Sequence, residues 1–355
     1  MPQKKINFKK IINRLIIFIS LGVGAHIVFV LLTTEKSLLG YMQRISIWHI
    51  AAIMGLLYTP WILYALRVYI WSKFLKEKIS YRTLLKIVIT SELASALSPT
   101  AIGGAPVKAA LLLNYGFSAG SAGFLLTYGV VEDILFYTTG ILLATFLSIG
   151  VISDIEHVLH TFFAQHTWMI LIIITTLTLY IYLTKTRQIP APFRIWTYLP
   201  AGFKNKYLRF RIKALDSWKD MKSNFQRAFA SGKLVMVTSL LLLFMQWMAK
   251  FSVLLIILHA FGISFEPLQV YLRQWVVYVT MLLVPTPGAT GGAEASFLLI
   301  FGKSIPAELS FLITSLWRLF TYYMVLLSAV IFYNALSIIF KKDEEIYVED
   351  KSENQ

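Results

Sequence analysis

A short Gly/Pro-rich break occurs twice inside hydrophobic sequence, and it constrains the fold of this chain more than any other feature. The first copy runs Ser98, Pro99, Thr100, Ala101, Ile102, Gly103, Gly104, Ala105. The second runs Val284, Pro285, Thr286, Pro287, Gly288, Ala289, Thr290, Gly291, Gly292, Ala293. Proline lacks the backbone donor a helix needs and glycine is a poor helix former, so neither stretch carries a helix through. Each break lies between apolar stretches of about 11–17 residues, short of the roughly 20 that span a bilayer. Irregular backbone at membrane depth survives only when buried in protein or lining a wet cavity. Broken segments at matching points of two halves mark the midplane site of transporter-type folds.

The match extends past the breaks. Gly116 follows Gly103 by 13 residues, and Gly302 follows Gly291 by 11. From there the spacing is equal: Glu132 lies 16 residues after Gly116, and Arg318 lies 16 after Gly302. Ionisable residues of opposite sign thus occupy one equivalent position in two long apolar segments. This pattern predicts an internal repeat.

Composition places the chain in a membrane. Of 355 residues, 57% are hydrophobic and 14% charged, against about 25% charged in soluble proteins. There is no cysteine, which excludes disulfides, thiol catalysis and Cys-ligated metal. The start, MPQKKINFKKIINR, has the charge of a signal-peptide n-region. However, the apolar run Leu15–Leu32 is long and lacks a small-residue cleavage site, so it reads as a retained helix. The net charge of +15 does not indicate nucleic acid, because Lys and Arg cluster at the flanks of apolar runs. Residues 1–14 hold five Lys/Arg, residues 73–86 five, and residues 185–233 twelve. Residues 151–167 hold none.

These signals give one threading: an all-α polytopic membrane protein with two inverted repeats, each carrying a re-entrant half-helix pair. About six full spans and two re-entrant pairs form a single transmembrane domain over 1–340. The spans are about 11–32, 46–72, 119–152, 168–184, 234–260 and 306–340. The half-helix pairs are 84–98 with 105–115 and 268–284 with 293–303. Repeat 1 covers about 46–152 and repeat 2 about 234–340. Both termini and the basic segment 185–233 are expected in the cytoplasm of a bacterial cell, at the inner membrane, with 153–166 outside. The alternative, one kinked span per pair, inverts the orientation of the later spans and fits the Lys/Arg bias worse.

Residues 203–229 carry Leu208, Ile212, Leu215, Trp218, Met221, Phe225 and Phe229 at helical spacing, interleaved with basic residues. This predicts an amphipathic helix on the cytoplasmic interface. It serves as a topological anchor, with anionic lipid as the partner of its basic face. The tail 341–355 is acidic and expected to be disordered.

Ionisable residues inside spans are costly and mark function by default. Glu92 lies in the first half-helix, Lys108 just after the first break, and Glu132 and Asp133 mid-span. Arg273 opens the third half-helix, Glu294 follows the second break, and Arg318 lies in the last span. One reading makes them internal ion pairs tying the repeats together, for example Glu132 with Arg318. The other makes them the lining of a polar cavity with a cationic centre, Lys108 and Arg318, suited to a phosphate head group. Half-helix N-termini at Gly103, Gly104, Gly291 and Gly292 would add backbone N–H donors to that site. His157, His160 and His166 have spacing that could hold a metal, but only Asp154 and Glu156 stand near them, so no metal site is assigned. No Walker loop, His-Glu-x-x-His or Ser/His/Asp order appears, and no cofactor or catalytic residue is assigned.

On SPTAIGGAPVKAALLLNYGFS (98–118), PTPGATGGAEASF (285–297) and LWRLFTYY (316–323), the chain resembles the flippase-like membrane domain of bacterial lysylphosphatidylglycerol synthases. The resemblance covers residues 10–340. Lys108 matches the family's basic position, and Glu294 and Arg318 match its second motif. The family often carries an acidic residue where this chain has Ala105, so no proton- or cation-binding role is expected of the first motif.

The resemblance implies a lipid-translocating membrane protein. In the full synthases a soluble domain transfers lysine to phosphatidylglycerol. This chain runs about 15 residues past its last span, so that reaction is not expected here. The expected function is movement of an anionic or polyprenyl-linked lipid between leaflets. The alternatives are an accessory subunit of a lipid-modifying enzyme, an enzyme using Glu294 and Lys108, or a small-solute transporter of the same build.

Overall fold

Both breaks separate helices in the computed structural model of the protein. The structure describes residues 40–98, 103–147, 201–284 and 286–339, together with Thr175 and Thr178. The first span 11–32, the loop 153–166 with its three histidines, and most of the span 168–184 lie outside the described residues. So do Pro99, Pro285 and the tail 341–355.

All regular structure among the described residues is helical. A 3₁₀ turn at Gly40–Arg44 precedes α1 (Ile47–Phe74). Ser46 begins α1 with a reciprocal cap: its hydroxyl accepts from the His49 N–H while the His49 ring accepts from the Ser46 N–H. The first broken pair is α2 (Tyr81–Leu97) and α3 (Gly104–Asn114), within a few residues of the expected 84–98 and 105–115. Next come α4 (Ala119–Leu147), α5 (Ala201–Ser231) and α6 (Lys233–Ala260). The second broken pair is α7 (Pro267–Leu282), opened by a proline at N1, and α8 (Gly292–Phe301). The last long helix is α9 (Ala307–Arg318), a π-helical turn (Leu319–Met324) and α10 (Val325–Ile339).

Among the described residues, α1, α4, α6 and the stretch Ala307–Ala335 are long and apolar enough to cross a membrane. They carry apolar residues all round, as buried or lipid-facing helices do. On α4 the outward residues Val130, Val131, Ile134, Leu135, Leu142 and Phe146 are 50–80% exposed. An apolar face of that extent is stable in lipid rather than in water.

Two apolar cores fill the interior. One joins α2, Leu112 of α3, the first half of α4, the second half of α1 and part of α10. The other joins α7, α8, α9, the second half of α6 and the far half of α4. Each broken pair therefore builds its own core. α1 and α6 pack along one another and run through the junction, contributing to both. α2 packs on α3, and α7 on α8.

The basic amphipathic segment folds into α5 as its periodicity predicts. Its apolar face, however, is divided. Met221 and Phe225 pack against the first core, with the Phe225 ring 4.7 Å from that of Phe124. Leu215, Trp218 and Phe229 remain exposed. The side chains of Leu208 and Ile212 lie outside the described residues. The close approach of α5 to α4 depends on Gly120, where a β-carbon would run into Asp220 and lie 3.0 Å from the Met221 nitrogen.

Gly120→Leu is expected to force α5 off α4, destabilising the protein by about 1–3 kcal/mol, as overpacking does. Gly129 faces open space, so Gly129→Ala in the same helix is expected to be neutral or slightly stabilising. Thermal unfolding of both variants in detergent, read by circular dichroism, checks the contrast. Equal unfolding temperatures for Gly120→Leu and wild type would show that the α4–α5 contact is loose.

Candidate functional site

The second break is a tight loop held from several directions. Its backbone enters the left-handed region at Gly288 (φ 61°), Ala289 (φ 54°) and Gly291 (φ 85°), which glycine adopts without strain. Glu294, at the third position of α8, turns back so that its Oε2 accepts from the Gly291 N–H at 2.8 Å. Its Oε1 accepts from Nε of Arg318 at 2.8 Å. A second guanidinium nitrogen, Nη2, donates to the Gly288 carbonyl at 2.9 Å. The guanidinium also lies over the Tyr322 ring, 4.5 Å from its centroid.

Tyr322 then joins the two halves. Its hydroxyl donates to the Ala96 carbonyl at 3.1 Å, at the end of α2 beside the first break. Its ring occupies the space a β-carbon on Gly288 would need. The ends of both breaks are thus held by one side chain. At the first break, the Ser98 hydroxyl accepts from the Gly103 N–H at 2.8 Å and so starts α3. Gly104 lies so close to α2 that a β-carbon would overlap Ser95.

The π turn directly follows Arg318. Arg318, Thr321, Tyr322, Val325, Leu326 and Ala329 all reach one cavity of about 230 Å³. Facing them are Glu92, Leu93, Ser95 and Ala96 of α2, Thr286, Gly288 and Ala289 of the second break, Trp61 of α1, and Lys250 of α6. A second cavity, of about 190 Å³, is lined by Tyr64, Arg67, Asp133 and Gln246, and again by Trp61, Glu92, Trp247 and Lys250. Both cavities lie at the junction of the two cores. Glu92 is exposed, and that exposure is to these cavities. Lys250 sits between aromatic rings, 4.7 Å from the Trp247 centroid and 4.8 Å from that of Tyr278.

The expected residues sort into three groups. Glu92, Asp133 and Arg318 line cavities. Glu294 stands behind Arg318 and fixes it. Lys108 does not join Arg318 in a cationic centre. It is buried on α3, donates to the Tyr64 hydroxyl at 2.8 Å and lies over that ring at 4.5 Å. Nor does Glu132 pair with Arg318. Its partner is Arg67, at 3.7 Å, with side chains 3% and 5% exposed. The repeat put Glu132 and Arg318 at matching positions, and each is neutralised by a charge closer in the fold. Arg273 is on neither cavity wall. Its Nη1 donates to the Ile300 carbonyl at 2.6 Å, at the C-terminal end of α8, where a cation is favourable.

Two cations escaped the sequence reading. Arg67 is close enough to the end of its span to pass for a flanking charge. Lys250 was legible, since a lysine in the middle of an apolar span is itself the signal. Among the described residues no group of three or more His, Asp or Glu gathers at metal-binding distance.

Removing one member of the buried Arg67–Glu132 pair is expected to cost about 3–5 kcal/mol, because the other charge is left uncompensated. Arg67→Met and Glu132→Leu should each lower the unfolding temperature in detergent, and the double variant should recover most of the loss. Additive losses would show that the two charges do not depend on each other. Arg318→Lys is expected to leave either Glu294 or the Gly288 carbonyl without a donor, since lysine lacks the guanidinium fork. Faster proteolysis at residues 286–291 in that variant would register the release of the loop.

The family model for the lysylphosphatidylglycerol synthase TM region matches residues 17–329 of this chain. A protein of Archaeoglobus fulgidus named as a UPF0104 membrane protein is 25% identical over 327 residues, covering 90% of this chain and 94% of its own length. The matched stretch contains α1 to α9, both breaks, both cavities and the Arg318 clamp. This multi-pass membrane protein therefore belongs to the lysylphosphatidylglycerol synthase TM region family.

Proposed function

We propose that the protein moves an anionic phospholipid or a polyprenyl-linked lipid between the leaflets of the membrane. The supporting observation is the cavity at the junction of the two cores, where Lys250, Arg318 and Glu92 interrupt an otherwise aromatic and aliphatic wall. A phosphate head group needs a cation and hydrogen-bond donors to leave water. Lys250 supplies the cation. The guanidinium of Arg318, already neutralised by Glu294, supplies directed donors. Acyl or prenyl tails stay on the apolar outer faces of α4 and α6, where exposed residues such as Leu241, Phe244 and Met245 face lipid. The family name ties this membrane region to an enzyme of lipid modification, which favours a lipid cargo over a small solute.

In this reading the two broken pairs are re-entrant and enter from opposite faces of a bacterial inner membrane. The basic face of α5 then meets the anionic cytoplasmic leaflet, and 153–166 is external. Single cysteines placed near 160 and 210 in this cysteine-free chain test the topology with an impermeant thiol reagent on intact cells. Labelling is expected at 160 only, and labelling at 210 would reverse the orientation.

The function is tested in vesicles containing fluorescent phosphatidylglycerol, with an impermeant reductant bleaching the outer leaflet. Purified protein is expected to expose the inner-leaflet probe to bleaching. Lys250→Met should slow exposure by about tenfold or more, because a mid-span cation that contacts cargo has no substitute. Equal bleaching with and without protein would remove the translocase reading.

A further inference from the structure

We infer that Glu92 and Lys250 act as a proton-exchange pair, so that an anionic head group enters the cavity together with one proton. This inference rests on the lipid reading above and supplies its coupling ion. The two cavities share a wall made of Trp61, Glu92, Trp247, Lys250, Thr321 and Val325. One acid and one base therefore face both compartments. The other embedded charges have fixed partners: Arg67 with Glu132, Arg318 with Glu294, Lys108 with Tyr64 and Arg273 with Ile300. Glu92, Asp133 and Lys250 make no hydrogen bond, and no ion pair within 4.0 Å, among the described residues. They are the groups free to change partner or protonation state.

The surroundings of Glu92 define its charge balance. It faces Lys250 on α6, Asp133 on α4, Lys108 on α3 and Arg67 on α1. Arg318 of α9, Tyr322 of the π turn, Tyr137 of α4 and Tyr278 of α7 share the first cavity wall with it. From α10, which packs on α2, no charged residue is present and Tyr333 is the titratable group. Arg67 and Arg318 are committed to Glu132 and Glu294. Lys250 and Glu92 are left to offset one another across the cavity.

A phosphodiester head group brings one negative charge and takes Lys250 as its counter-ion. Glu92 then shares a low-dielectric cavity with a second anion, which favours its neutral form. The carboxylate accepts one proton from the aqueous side to become a carboxylic acid, and Lys250 remains an ammonium throughout. Lipid and proton together add no net charge to the cavity. On the other side of the membrane the lipid leaves, Lys250 again faces the carboxylate, and the proton departs. Asp133 reaches only the second cavity, so it is not the shared group.

The experiment titrates dioctanoyl phosphatidylglycerol into purified full-length protein in detergent between about pH 5.5 and 8.5. Tryptophan fluorescence reports binding, since Trp61 and Trp247 line the cavities. A binding event that takes up one proton loses about tenfold in affinity per pH unit once the acid is ionised in the free protein. Wild type should show that slope, Glu92→Gln should show none, and Asp133→Asn should keep it. Dioctanoyl phosphatidylcholine, whose head group carries no net charge, should bind without a slope. In weak buffer, a pH dye should register one proton taken up per phosphatidylglycerol bound to wild type, a count that decides the matter even if Glu92→Gln does not fold.

Affinity independent of pH in wild type, or a slope that survives in Glu92→Gln, would overturn the proton pair while leaving lipid binding in place. A slope lost in Asp133→Asn instead would overturn the assignment to Glu92. Glycerol phosphate serves as the free-phosphate arm. Binding of it with the same slope as the lipid would retain the proton pair and overturn the lipid reading. No fluorescence response to phosphatidylglycerol at any pH would overturn both.

Discussion

The guanidinium of Arg318 holds separate pieces of backbone together, and the arrangement of the site depends on it. It is 2% exposed, and a buried cation is tolerated only with a partner and satisfied donors. Glu294 provides the partner, and its second oxygen is used by the Gly291 N–H. The Gly288 carbonyl takes another donor. The shape of the second break, the start of α8 and the position of the last long helix are therefore one coupled problem. Tyr322 extends the coupling to α2 through the Ala96 carbonyl. A disturbance at any of these points reaches the cavity between them.

Around that clamp the molecule separates into two apolar cores with a polar layer at their junction. α1 and α6 bridge the cores, and each brings a cation to the layer, Arg67 and Lys250. The outward faces of the long helices are apolar, so the polar layer is the place where a head group can find partners without leaving the protein. The first core also receives α5 through Met221 and Phe225. The basic helix is thus a packed element of the fold as well as a candidate membrane contact.

The embedded charges divide by commitment. Glu132, Arg67, Glu294, Arg318, Lys108 and Arg273 have fixed partners that fasten helices or loop ends. Glu92, Asp133 and Lys250 face open cavity. A charge with a fixed partner serves structure first and chemistry through its remaining donors. A charge facing a cavity without one depends on water, cargo or a proton for its stability.

The sequence by itself determined the class, the breaks and the helices around them. Proline and glycine stop helices whatever surrounds them, and apolar length sets what can cross a bilayer. For this reason α2, α3, α7 and α8 begin and end within a few residues of where composition put them. Charged residues in apolar segments were equally legible as candidates, and Glu92, Asp133, Glu294 and Arg318 do gather at the cavities and the break. Pairing was decided only by the tertiary structure. Glu132 and Arg318 match in sequence, but an ion pair depends on distance between helices packed from different parts of the chain. Arg67 and Glu294 are the charges that packing brings near. The same holds for Lys108, drawn to Tyr64 of α1, and for Lys250, which becomes the central cation because the crossing of α1 and α6 places it on both cavity walls.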